Sequence, residues 1–147
     1  MITLVFAVVI YSCKKDPDPI INPPISDIPE IVLSSVAPTT VEQFTDDIIF
    51  SIHYLDGNGD LGFEEADSLS LFIIDNRVPL TNKFHIPPLS PIGSDITIEG
   101  DLNVVLENVI VLDTANATET TTFTIKLKDR AGNWSNEVIS QSITITQ

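Results

Sequence analysis

The chain has one cysteine, Cys13, so no disulfide can form within it. Basic side chains are also scarce: 7 Lys and Arg against 21 Asp and Glu give a formal charge of −14. A body so acidic repels nucleic-acid phosphates and anionic membrane surfaces, and its natural small partners are cations. No apolar run reaches the roughly 20 residues a membrane-spanning helix requires. No segment carries a 3.6-residue apolar stripe, which argues against a helical bundle. Neither a G-x-S-x-G elbow nor a His-bearing metal motif occurs, so nothing marks a hydrolytic centre. The expected protein is not an enzyme, with a small hydrolase as the least favoured alternative.

The N-terminus is apolar. Residues 2–11, "ITLVFAVVIY", would span about 15 Å as a helix, half the hydrocarbon core of a bilayer. That length suits the apolar core of a secretory signal peptide. Cys13 follows in "VIYSC", and "KKDPDPIINPPISDIPE" then brings five prolines, Pro17, Pro19, Pro23, Pro24 and Pro29. Prolines fix φ and remove donors, so this segment is neither helix nor central strand. As an extended tether it would reach roughly 50 Å, at about 3.1 Å per residue.

"VIYSC" resembles the lipobox of bacterial lipoproteins, with a small residue, Ser12, before the cysteine. Tyr11 is bulkier than that family usually carries. The resemblance implies that residues 1–12 are removed and that Cys13 is acylated. Several acyl chains, at about 0.8 kcal/mol per buried methylene, anchor a protein durably where one does not. "SCKKDPDP" is similar to the start of Bacteroidetes-type surface lipoproteins. In those, acidic residues such as Asp16 and Asp18 accompany export to the outer membrane. The expected organisation is a signal peptide over 1–12, a lipidated cysteine and linker over 13–30, and one folded domain over 31–147.

That domain reads as strands. "DIIFSIHYL" puts Ile48, Phe50, Ile52 and Tyr54 on one face. "TTTFTIKLKD" alternates Thr121, Phe123, Ile125 and Leu127 with Thr122, Thr124, Lys126 and Lys128, the pattern of a half-buried antiparallel strand. "SLSLFIID" and "VISQSITIT" are shorter versions, and "DLNVVLENVIVL", apolar on both faces, suits a central strand. With the weaker segments this predicts an all-β antiparallel sandwich of about seven to eight strands. "IKLKDRAGNWSNEVISQSITI" resembles the last two strands of immunoglobulin-like and fibronectin type III-like modules of bacterial surface proteins. Asp129, Ala131, Gly132, Asn133 and Ser135 carry the match, and it bears on fold alone.

Three places invite chemistry. In "LDGNGDLGFEEAD", Asp56, Asn58 and Asp60 fall at positions 1, 3 and 5 of a calcium-loop count, with Gly62, Glu64 and Asp67 at 7, 9 and 12. Leu61 stands where that count requires glycine. The same stretch also reads as a hairpin turn in which "DG" and "NG" supply positive φ. Trp134 either stacks on a sugar ring or folds back over the end of the core. His53 and His85 read as two unconnected surface histidines, too few for zinc. Together these features predict a lipid-anchored binding or adhesion/spacer module of the outer membrane, on either its periplasmic or its external face, contacting glycan or protein through its loops. The alternative is a calcium-braced structural domain.

Overall fold

The computed structural model describes residues 24–147, Pro79 excepted. The expected signal peptide, Cys13 and the linker up to residue 23 lie outside the described residues. No helix occurs among those described, and ten strands do. In chain order they are β1 (Glu30–Ala37), β2 (Thr40–Glu42), β3 (Ile48–Asp56), β4 (Leu69–Asp75), β5 (Leu80–His85), β6 (Ile98–Leu106), β7 (Thr118–Thr121), β8 (Phe123–Leu127), β9 (Val138–Ile139) and β10 (Ile143–Thr146). They form three sheets, ordered β1-β3-β6, β2-β10-β7 and β5-β4-β8-β9. The protein is an all-β, sandwich-like fold, as its residue alternation predicts, with more and shorter strands than expected.

The shortening has a local cause. The segment "TTTFTIKL" does not stay in one sheet: β7 pairs with β10, and after Thr122 the chain continues as β8 beside β4. "VISQSITIT" breaks in the same way between β9 and β10. Ser140 sits at that break and accepts the Phe123 amide on its hydroxyl at 2.9 Å, capping the interrupted ladder. Two chain segments therefore run side by side through both sheets. Among the described strands every other pairing is antiparallel, but β2 lies parallel to β10.

The core forms where the layers meet. Ile48, Phe50, Ile52 and Tyr54 of β3 are buried, as are Phe123, Ile125 and Leu127 of β8. Phe50 and Phe123 join edge to face, with ring centroids 5.5 Å apart and planes at 79°. Such a contact contributes about 0.5–1.5 kcal/mol beyond the area it buries. One expectation fails here. β6 is an edge strand and β3 is central, because Glu99, Asp101 and Asn103 face solvent on β6 and only Val104 and Leu106 are fully covered.

The last residues before β1 pack against the body. Pro29 is buried, and the Gly57 amide donates to the Ser26 carbonyl at 2.8 Å. Asn136 then clamps the start of β1: its side-chain oxygen accepts the Ile31 amide and its Nδ2 donates to the Ile31 carbonyl, each at 2.8 Å. The chain thus arrives at the end of the fold that carries the Asp56–Asp67 loop.

Candidate functional site

Two regions concentrate functional groups. The first is the end of the sandwich beyond β3. Asp56 closes that strand wholly buried, and its Oδ2 accepts the Asp60 amide at 2.9 Å. The Asn58 side-chain oxygen accepts the same amide at 3.3 Å. Gly59 and Gly62 turn the chain at φ of 70° and 82°, the left-handed region that glycine enters freely. Leu61 then pairs with Asp129 as an isolated antiparallel bridge.

Asp129, also wholly buried, takes the Asn133 amide on Oδ1 at 2.7 Å and the Asn133 Nδ2 on Oδ2 at 2.8 Å. Ser135 accepts the Leu127 amide at 3.0 Å. The "DRAGNWS" residues are thus a self-capping turn, which gives their spacing a structural reason. Arg130 donates from Nη1 to the carbonyls of Leu61 and Gly62, at 3.2 and 2.9 Å.

These facts decide how the predicted calcium residues lie. Asp56 and Asp60 come together, and Asp129, which the loop count missed, joins them. The other four do not. The Asn58 oxygen and the Gly62 carbonyl hold an amide and a guanidinium, and Glu64 and Asp67 point to solvent. Among the described residues no three His, Cys, Asp or Glu side chains are grouped so as to hold a metal ion. The six-ligand loop is therefore not assembled.

The carboxylates are nonetheless strained electrostatically. Asp56 Oδ1 and Asp60 Oδ1 are buried with no hydrogen-bond partner. Burial, followed by the charge of Asp60, pushes the Asp56 carboxyl up to about 6. Burial and the charge of Asp129 raise Asp60 as well. Neither Asp56 nor Asp129 faces a solvent-filled cleft, since both are wholly buried.

The second region is the outer face of the four-stranded sheet. Phe72 on β4 lies directly opposite Lys83 on β5 and Lys126 on β8. Directly opposed residues share a face, so the three form one row across three strands. Trp134, bridged to Lys128, extends the row: its ring meets Phe72 edge to face at 4.9 Å and 77°. Trp134 remains 39% exposed. It folds back over the outside of a sheet rather than over the end of the core.

Ammonium groups surround the rings. Lys83 Nζ lies 5.3 Å from the Phe72 centroid, and Lys126 and Lys128 lie 4.9 and 5.7 Å from that of Trp134. Lys126 also pairs with Glu137 at 3.1 Å. These are all the lysines of the described residues. Arg77 is enclosed by Asp75 and Glu119 and Arg130 by backbone carbonyls, so the outward cations of the fold gather on one face.

The histidines lie apart, but His53 is not solitary. Asp101 is its cross-strand partner, and its ring nitrogens meet Asp101 at 3.0 Å and Glu99 at 3.1 Å. The Asp101 hydrogen bond foremost raises its pKa. His85 contacts the Ser68 carbonyl at 3.2 Å. Comparison with protein-family models, curated proteins and solved structures returns no match.

Proposed function

We propose that this chain is a lipid-anchored, non-catalytic binding module of the bacterial cell envelope: an immunoglobulin-like sandwich tethered through acylated Cys13, whose ligand surface is the outer face of the four-stranded sheet. The observation that carries the reading is the pair Trp134 and Phe72, an aromatic step left partly open on a sheet face. Large rings gain most when covered, and an exposed pair on a regular sheet is a platform on which a sugar face or an apolar side chain can stack. The apolar leader, Ser12-Cys13 and the proline-rich stretch support the anchor.

Two experiments test the proposal. A glycan array probed with the detergent-solubilised protein should give binding that Trp134→Ala abolishes; binding unchanged by that substitution refutes the assigned face. Mass spectrometry of the native N-terminus should find acylated Cys13 as the first residue, and an intact leader with a bare thiol refutes the anchor.

A second reading, a structural domain braced by calcium, draws support from the unpartnered oxygens of Asp56 and Asp60. It requires millimolar calcium to raise the melting temperature and Asp60→Ala to remove that rise. No shift at millimolar metal discards it.

A further inference from the structure

Resting on that binding face, we propose that its ligand is an acidic polysaccharide, a polymer whose carboxylates alternate with the flat C–H faces of its sugar rings. Lys83, Phe72 and Lys126 form a row across the sheet, Trp134 packs on Phe72, and Lys126 and Lys128 both lie over its ring, so three ammonium groups border two touching aromatic rings. The first three stand on adjacent strands, about 5 Å apart. Ring faces take sugar C–H faces, and ammonium groups take carboxylates. An acidic glycan supplies a partner for both kinds of group.

Charge makes the choice sharper. The chain carries −14, yet every lysine of the described residues lies on this one face. A nucleic acid strand brings a phosphate about every 3.4 Å, a denser charge than one carboxylate per sugar, and so meets more repulsion from the acidic body. An acidic peptide offers carboxylates without flat apolar faces between them. A neutral glycan would use the rings and gain nothing from the three positive charges.

The lysines now resting on the rings do not block the site. A cation over an exposed ring and a surface pair such as Lys126 with Glu137 are both held only weakly. Their long stems can swing each ammonium group from ring face to ligand carboxylate while still covering apolar surface. Glu137 is then a competitor for Lys126, and its removal should favour the ligand.

Trp134 is the sole tryptophan of the chain, so its fluorescence reports this face directly. Full-length protein in detergent is titrated with polygalacturonate, dextran, polyglutamate and an oligothymidylate. Polygalacturonate should change the emission, more weakly as salt shortens the Debye length to about 10 Å at 0.1 M. The double substitution Lys126→Gln, Lys128→Gln should weaken it about tenfold or more, with the melting temperature retained, and Glu137→Gln should strengthen it.

A response to dextran alone overturns the acidic assignment and leaves the binding face standing. Silence toward every polymer overturns both. Polyglutamate or oligothymidylate bound as tightly as polygalacturonate overturns the choice of polymer. Emission that changes with protein concentration alone, together with a dimer in sedimentation, assigns the face to a second copy of the chain and also overturns it.

Discussion

The side-chain Oδ2 of Asp60 accepts the backbone amide of Ala131 at 3.0 Å, joining two loops 71 positions apart in the chain. The Arg130 amide donates to the Asp60 carbonyl at 3.1 Å beside it. The acidic loop and the "DRAGNW" turn are therefore one structural unit, built from distant parts of the chain.

The centre of that unit is Asp129. Asp129→Ala removes the acceptor of two Asn133 donors and exposes a void in a buried site. The expected cost is about 1–3 kcal/mol for the orphaned donors alone, and Asn133→Ala should cost less. Equilibrium urea unfolding of the two variants compares them. Equal stability of Asp129→Ala and the parent would contradict the assignment.

Acidification should first strengthen the fold. Asp56 has its carboxyl raised from 3.8 to about 6 in the folded protein, so ionising it there opposes folding. That penalty is complete above pH 6 and gone below about 4, so stability rises as pH falls through this window. His53, raised by Asp101 and Glu99, acts with the same sign. Asp75 behaves oppositely. Burial works to raise it, but its bonds to Arg77 and Thr121 prevail and lower it, so its contribution is lost only in strong acid. Melting temperature against pH should peak between about 4 and 6, and Asp56→Asn should flatten the rise from neutral pH. A parent protein with no rise below pH 7 would refute the burial argument.

Gly62 and Gly93 share nearly the same backbone, with φ of 82° and 78°. They differ in surroundings: a Cβ at Gly62 collides with the Pro87 carbonyl, and one at Gly93 meets nothing within 4 Å. Gly93→Ala should cost about 1 kcal/mol, from the left-handed conformation. Gly62→Ala should cost clearly more, because backbone must move as well. Thermal unfolding of the two single variants makes the comparison. Equal costs would mean that Pro87 yields.

Arg77 bonds Asp75 at 2.6 Å and Glu119 at 2.7 Å, all three side chains largely buried. Arg77→Met takes the guanidinium from buried Asp75, which keeps only Thr121 as a side-chain donor, while Glu119 keeps the Leu112 and Asp113 amides. The expected loss is about 1–3 kcal/mol, measured by urea unfolding. Replacing Arg77 and Asp75 together by apolar residues of similar volume, with Glu119 left on its amides, should recover part of it.

Much of the fold was legible because a half-buried strand repeats every second residue: the buried faces of β3 and β8 follow directly from their alternation. Position within a sheet was not, since Val104 and Val105 read alike until pairing with β3 leaves one covered and the other 43% exposed. The break at Thr122 is hidden because the alternation on either side stays in phase. At Ser140 the phase slips by one, with Val138 and Ser140 inward before it and Ile143 and Ile145 after it, while the exposed Ile139 keeps the sequence looking regular. In the acidic loop, a local count found Asp56 and Asp60 and missed Asp129, whose proximity depends on a bridge to Leu61. The lysine row was hidden for a related reason. On β8 and just after it, Lys126 and Lys128 look like any solvated face, and only cross-strand register sets Phe72 and Lys83 in line with Lys126.

The clasp between Ser26 and Gly57, backed by the two bonds of Asn136 to Ile31, has a mechanical consequence. Tension on the chain ahead of β1 would be borne first by these few bonds, which link the first strand to its neighbour and to the opposite layer, before any of it reached the apolar interior. A pull from that side therefore loads a collar of hydrogen bonds ahead of the zipped strands.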